Sequence, residues 1–218
     1  MGLFIPCLCL VTDSKRFGSR PIEEVVAQAV DGGVNMVQLR EKEMPAGELL
    51  ALSERIKSIT KDKALFFIND RVDVAIACQA DGVQLGEDEL PVPTVRQIAG
   101  NRLLIGRSVH SLERAEEAQR AGADFLIAGT IFPSPSHPGA TPAGLEFLRA
   151  LQQKVVIPYL AIGGVSNDNL ASAIEAGAWG AAIVGAIGSA KSPKDSSKEL
   201  KAIMEKAWSA RASRLRKR

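Results

Sequence analysis

Short runs of apolar residues alternate along the chain with segments in which apolar residues recur at helical spacing. Segment 22–30 has apolar residues at i, i+3, i+4, i+7 and i+8, which form one face of a helix, and segment 200–208 repeats this spacing. Eight runs have the length of β-strands: Phe4–Val11, Met36–Leu39, Ala64–Ile68, Gly82–Leu85, Leu103–Ile105, Phe125–Ala128, Ile157–Ile162 and Ala181–Val184.

The strand runs are mostly continuous rather than alternating, as expected for parallel strands covered on their outer face. Glycine stands at the joins 31–33, 80–82, 121–124 and 176–178, where it accepts the left-handed conformation that ends a helix. Eight strands and eight helices predict the α/β class and one (β/α)₈ TIM barrel over residues 1–218. A doubly wound open sheet is the alternative, because a sequence does not reveal closure.

Charge and composition narrow the classes of partner. A net charge of +2 suggests no polyanion, so we expect no nucleic acid, and the basic segment 211–218 is interpreted as a solvated helix end. The apolar run Leu3–Val11 is interrupted by Pro6 and too short to span a bilayer. We therefore expect a cytoplasmic protein without membrane contact. Three cysteines agree with a reducing compartment; Cys7 and Cys9 are expected on opposite faces of their strand, in packing roles.

Function in such barrels gathers in the loops that follow the strands. After the second strand, Gln38, Arg40 and Lys42 would share one face of extended chain, which suits a diphosphate clamp. The alternative is a charged strand end paired with Glu41 and Glu43.

Carboxylates follow the next two strands, with Asp70 after the third and Glu87, Asp88 and Glu89 after the fourth. Such clusters suit Mg²⁺, which uses one or two carboxylates and takes its other oxygens from water and phosphates. An Asp at this kind of junction is otherwise a helix cap.

The remaining loops offer groups for phosphate. Ser108 is a candidate donor, and His110 is either an acid/base or a helix cap. Loop 129–139 is long, rich in hydroxyls and stiffened by three prolines, which favours a functional role. Gly164 and Gly185 lie in the seventh and eighth loops, the common phosphate site of this fold.

The segments QLREK, IND, DGVQLGEDELP, GRSVHS, GTIFPSPSH, AIGGV and IVGAI together resemble the thiamine-phosphate synthase family. The resemblance covers essentially the whole barrel, and several of its motifs are shared with the thiazole tautomerases. The family joins an aminopyrimidine diphosphate to a thiazole phosphate and releases pyrophosphate. It implies small-molecule partners, a Mg²⁺ cofactor and a dissociative mechanism, in which a pyrimidine-stabilised carbocation forms and the thiazole nitrogen attacks it.

Residue by residue, the resemblance implies the following roles. Asp70 and Glu89 would hold Mg²⁺, and Arg40, Lys42 and Ser108 would act in catalysis. The pyrimidine diphosphate would contact Gln38, Leu39, Arg40, Glu41, Lys42, Asn69, Ser108 and His137. The thiazole phosphate would contact Ser134, Pro135, Ser136, Gly164, Val184 and Gly185.

Three features depart from the family pattern. The second metal ligand is usually Asp, whereas this chain has Glu89 with Asp88 beside it. The usual threonines of the sixth loop are serines here, which keeps the hydroxyls, and His137 replaces the usual Lys. Two alternatives stay open: a thiazole tautomerase, which tends to carry a His where this chain has Thr130, and a non-catalytic phosphate-binding barrel. A homo-oligomer is also compatible with the sequence.

Overall fold

Eight parallel strands form a closed barrel in a computed structural model that describes residues 2–134 and 141–215. Each strand pairs with the next in sequence, and the eighth pairs with the first. This closure confirms the predicted α/β barrel and excludes the open sheet. The strands are β1 Cys7–Val11, β2 Met36–Leu39, β3 Leu65–Asn69, β4 Gly82–Leu85, β5 Leu104–Val109, β6 Phe125–Ala128, β7 Tyr159–Ile162 and β8 Gly180–Ile183.

The helices surround the barrel and cover its outer face. Within the described ranges there are nine α-helices rather than the predicted eight, because the loop after β8 forms a short helix of its own before the last one. They are α1 Ile22–Asp31, α2 Ala46–Thr60, α3 Val72–Ala77, α4 Val92–Ala99, α5 Leu112–Arg120, α6 Gly144–Lys154, α7 Leu170–Glu175, α8 Gly185–Gly188 and α9 Pro193–Leu215. Ser14–Arg16 form a single 3₁₀ turn.

The barrel interior is filled by alternate residues of each strand, and two phenylalanine rings occupy its centre. Phe67 and Phe125 meet edge to face, with ring centroids 5.3 Å apart. Gly82 and Gly106 leave room for them, since a Cβ there would lie 2.1 Å from the ring of Phe67 and 2.3 Å from that of Phe125, respectively. The interior is therefore a packed core, and in this fold ligands bind in the loops at its carboxyl end.

Several strand ends differ from the predicted ones. β1 begins at Cys7 and β7 at Tyr159, each directly after a proline that has no N–H for the ladder. β5 continues to Val109, so Ser108 lies inside a strand rather than in the loop after it. β2 ends at Leu39, and 41–44 form a turn, so the extended geometry used to align Lys42 with Gln38 was wrong.

Of the two predictions about the cysteines, the packing role was confirmed and the opposite faces of Cys7 and Cys9 were wrong. Cys7 and Cys9 both point into the barrel, because residues two apart on a strand share a face, so placing them on opposite faces was wrong. The three cysteines are buried and free, as packing residues are. Burial raises the pKa of the Cys7 thiol to about 12, which keeps it protonated and unreactive at neutral pH.

At three of the four joins between a helix and the next strand, glycine takes the predicted left-handed conformation. Gly33, Gly122 and Gly177 have φ of 102°, 88° and 123°, in the region that favours glycine. At the fourth join, Gln79 takes the left-handed conformation, with φ of 54°, and Gly82 belongs to β4 instead. No helix within the described ranges is both long and apolar enough to cross a membrane.

Candidate active site

Polar side chains from four adjacent strands line the carboxyl end of the barrel interior. Gln38 Nε2 donates to Asn69 Oδ1 at 2.8 Å, and Gln84 Nε2 donates to Ser108 Oγ at 3.1 Å. Asn69 and Gln84 are partners in the β3–β4 ladder. The four side chains therefore form one polar arc, which we define as Gln38, Asn69, Gln84 and Ser108.

Two oxygens of the polar arc have no donor among the described residues. They are Oε1 of Gln38 and Oε1 of Gln84, both on side chains that are almost fully buried. Buried acceptors normally find a hydrogen-bond partner, so this unpaired pair marks the polar arc as a candidate binding site for N–H or O–H groups.

Asp70 connects the polar arc to the loop after β4. Its Oδ2 accepts from Asn69 Nδ2 at 2.5 Å, and its Oδ1 accepts from the backbone N–H of Gly86 at 2.8 Å. Its backbone φ of 58° lies in the left-handed region, which a residue with a Cβ adopts at a cost. Such strain is typical of functional positions, and here it sets the carboxylate against the next loop.

Glu89 is the acidic residue of the strand-4 loop, residues 86–90, whose side chain lies near Asp70. A Cβ on Gly86 would be 3.1 Å from Cγ of Glu89 and 3.7 Å from Oδ1 of Asp70, so the two side chains flank one glycine. Within the described ranges no group of three or more His, Cys, Asp or Glu could hold a metal. Two carboxylates nonetheless match the donor set that Mg²⁺ takes when substrate phosphates complete its shell.

Arg40 and Lys42 stand on the chain that leaves β2. The backbone N–H of Arg40 donates to Thr12 Oγ1 at 2.9 Å, which fixes the start of this segment. Lys42 is exposed and Arg40 half-buried, and neither side chain has an ion pair or hydrogen bond within the described ranges. Two cations without internal partners remain available to an anionic ligand.

Two members of the predicted QLREK set have internal contacts instead. The Leu39 side chain is buried in the layer between strands and helices. Glu41 accepts from Thr12 Oγ1 at 2.7 Å and from Ser14 Oγ at 2.6 Å. The Glu41 carboxylate thus ties the loop after β1 to the loop after β2.

The loops after β6 and β7 run side by side. Phe132 N donates to Gly163 O at 3.0 Å, and Asn169 Nδ2 donates to Gly164 O at 2.9 Å. Gly164, with φ of 63°, lies so close to Pro133 that a Cβ would be 2.3 Å from its carbonyl oxygen. Ser134 is the next residue after Pro133. Pro135, Ser136 and His137 lie outside the described residues.

The loop after β8 becomes helix α8. Val184 borders the inner core and precedes this helix, which begins at Gly185. Arg20 holds the C-terminal end of this helix, because its guanidinium donates to Gly188 O at 2.7 Å and to Ala190 O at 2.8 Å. The first amides of a helix have no intrahelical acceptor.

His110 is not the cap of α5. That role belongs to Ser111, whose side chain accepts from Arg114 N at 3.2 Å. His110 Nδ1 instead contacts Oε2 of Glu87 at 2.5 Å. Gln84 was not predicted as a site residue, although a polar residue two positions after Gly82 in a buried strand has to share the inward face of that glycine.

The fold and this mouth define a class: a (β/α)₈ barrel with a polar carboxyl end and glycine-rich seventh and eighth loops. The model of the thiamine monophosphate synthase family matches residues 8–187. This chain belongs to that family.

Relatives that carry the name of this family are similar over nearly the whole chain. A thiamine-phosphate synthase of Roseiflexus sp. is 39% identical over 93% of this chain and 87% of its own length. One from Syntrophomonas wolfei is 41% identical over 91% and 96%, respectively. The solved structure of a thiamine phosphate pyrophosphorylase from Pyrococcus furiosus superposes with a TM-score of 0.86, at 40% identity over 92% of this chain and 96% of that one.

Proposed function

We propose that this protein is a thiamine-phosphate synthase, a transferase that joins an aminopyrimidine diphosphate to a thiazole phosphate and releases pyrophosphate. Family membership supports the reaction class. The observation that supports the assignment best is the position of Asp70, whose carboxylate contacts the polar arc through Asn69 and the strand-4 loop through Gly86. Asp70 would therefore lie between the site for the pyrimidine ring, which carries N–H groups, and the site for the metal-bound diphosphate.

The pyrimidine ring would lie against the polar arc. Its exocyclic amino group carries N–H donors, and the unpaired Oε1 atoms of Gln38 and Gln84 are buried acceptors that need them. An analogue without the amino group would leave those oxygens unsatisfied, so the arc would also discriminate against it.

The diphosphate would extend from the ring towards Arg40 and Lys42. Arg offers a planar fork to phosphate oxygens and Lys a mobile point charge. Asp70 and Glu89 would hold Mg²⁺, which when bound neutralises charge on the leaving diphosphate. Ser108 Oγ, positioned by Gln84, would donate a further hydrogen bond to it.

The thiazole phosphate would occupy the opposite side of the mouth. Gly164, Val184 and Gly185 border loops whose backbone amides suit a monophosphate. Ser134 lies in the adjoining loop, and the resemblance adds Pro135 and Ser136 to this edge, while it assigns His137 to the diphosphate. Both substrates would then meet across the barrel axis.

The residues of this mouth suit a dissociative reaction. Ionisation of the pyrimidine C–O bond and attack by the thiazole nitrogen need no strong base or covalent nucleophile from the protein. The side chains of the site therefore orient two substrates and stabilise a leaving anion. Because both substrates are small phosphorylated molecules, we also propose that the protein works in the cytoplasm.

Substitutions at the diphosphate side test this proposal. With Mg²⁺ and both substrates, we expect Arg40→Ala and Asp70→Ala each to reduce pyrophosphate release by about 10²- to 10³-fold. Cys78→Ala is the control, because this buried thiol donates to a carbonyl within α3 and belongs to the helix-covered core, so the rate per folded protein should stay within about twofold. Equal and mild effects of all three substitutions would show that the clamp and the metal site are misassigned.

A further inference from the structure

The strand-4 loop has no regular secondary structure, yet a single side chain of the neighbouring strand fixes its backbone. Arg107 lies on β5 beside Leu85, the last residue of β4. Its guanidinium donates to three carbonyls of the loop: Nη2 to Glu87 O at 2.5 Å, and Nη1 to Leu90 O at 2.8 Å and to Glu89 O at 3.3 Å. Within the loop itself, one backbone hydrogen bond, from Glu89 N to Gly86 O, adds little.

Other contacts fasten the first two residues of the same loop. At its start, Gly86 N is held by Asp70. On its outer side, the Glu87 carboxylate contacts His110 Nδ1 at 2.5 Å and lies 3.9 Å from Arg114 Nε. Among the side chains of residues 2–134 and 141–215, Arg107 is the one whose hydrogen bonds reach the backbone of Glu89 and Leu90.

We propose that Arg107 is a positioning residue for the metal site: it holds the strand-4 loop so that Glu89 stays beside Asp70. The inference rests on the proposed function for the identity of the metal. The rigid fork of an arginine reaches several carbonyls at once, whereas a lysine ammonium is a mobile point charge that cannot reproduce this planar geometry. A loop without the fork would sample positions in which Glu89 lies away from Asp70, and metal binding would then include the cost of ordering it.

The chain supplies a matched control at the other end of the barrel. Arg96 also donates to three backbone carbonyls, Leu103 O at 2.9 Å, Gly100 O at 3.2 Å and Gly122 O at 3.3 Å. These lie at the amino ends of the strands, away from the mouth. Arg107→Lys and Arg96→Lys both remove an arginine fork that binds backbone carbonyls, although Arg96 also pairs with the Asp124 carboxylate at 2.8 Å, and only the first substitution should affect the metal.

The first measurement is the magnesium dependence of pyrophosphate release. We expect Arg107→Lys to raise the Mg²⁺ concentration for half-maximal rate by about 10- to 100-fold. At saturating Mg²⁺ the rate should return to within about twofold of the original, and KM for the thiazole phosphate should not change. Arg96→Lys should lower the melting temperature without changing the magnesium requirement.

The second measurement does not need turnover. Hydrogen exchange of peptides covering 86–90 should be faster in Arg107→Lys, with no change over 185–190, and magnesium pyrophosphate should slow it again. If Arg107→Lys folds poorly, Arg107→Met keeps the apolar stem and should show the same pattern.

The two proposals fail in different ways. If the unaltered protein makes no product, the proposed function fails, while exchange over 86–90 still reports on the loop. Unchanged exchange in the Arg107 variants would overturn the inference. Faster exchange with an unchanged magnesium requirement would also overturn it, because Arg107 would then be a structural contact only.

Discussion

At the scale of residues, Gln84 has a buried side-chain oxygen that bears on both stability and substrate binding. Its side chain is almost fully buried, Nε2 donates to Ser108, and Oε1 finds no donor among the described residues. An unsatisfied buried acceptor destabilises a protein by about 1–3 kcal/mol. Its presence at the mouth is explained if a substrate supplies the missing donor.

Gln84→Met should therefore separate stability from activity. The similar volume and the loss of the unpaired oxygen predict unchanged or higher stability in urea unfolding. KM for the pyrimidine diphosphate should rise by about tenfold, the value of one hydrogen bond. Gln153→Met, at an exposed position of α6, is the control and should change neither quantity. A destabilised variant with an unchanged KM would refute this role for Gln84.

At the scale of elements, the same side-chain hydrogen bond recurs at the amino ends of three strands. Asn35, Asp81 and Asp124 each directly precede an even-numbered strand. Each side chain accepts a backbone N–H of the preceding odd-numbered strand: Leu8 N at 2.8 Å, Phe66 N at 2.7 Å and Ile105 N at 2.7 Å. The side chain before each even-numbered strand thus binds a backbone N–H of the odd-numbered strand that the backbone of the shorter even-numbered strand does not reach.

Asp81→Ala should remove this acceptor and leave the Phe66 N–H buried without a partner. We expect a loss of about 1–3 kcal/mol in the free energy of unfolding. Asp81→Asn should lose clearly less, because Asn35 shows that an amide oxygen serves in this place, although its ion pair with Lys57 disappears. Denaturant unfolding measures both. Equal losses in the two variants would assign the effect to the ion pair.

Elements were predictable from the sequence where many residues contribute to one pattern. The eight strands follow from apolar runs, and α1 from the five apolar residues of its inner face, which are all buried. Helix α8 was not predictable as a helix, because four residues are too few to show a helical period. The Arg107 contacts were equally hidden, since their acceptors are backbone carbonyls, which any residue carries.

At the scale of the whole molecule, closure of the barrel brings the loops that follow the strands to one mouth. Loops far apart in sequence become neighbours: Asp70 meets the strand-4 loop, and the loop after β6 lies along the loop after β7. The sequence located each loop, but not the inward direction of Gln84 or the internal roles of Leu39 and Glu41. Those depend on strand ends, which shift by a few residues at prolines and turns.

The central claim is that this mouth couples two substrates, and one assay of the unaltered protein tests it most directly. With Mg²⁺, the aminopyrimidine diphosphate and the thiazole phosphate, we expect equal amounts of thiamine phosphate and pyrophosphate by mass spectrometry and phosphate analysis. Omitting either substrate or chelating Mg²⁺ should abolish both products. No thiamine phosphate under these conditions, with proton exchange on a thiazole phosphate carboxylate instead, would contradict the account and favour a thiazole tautomerase.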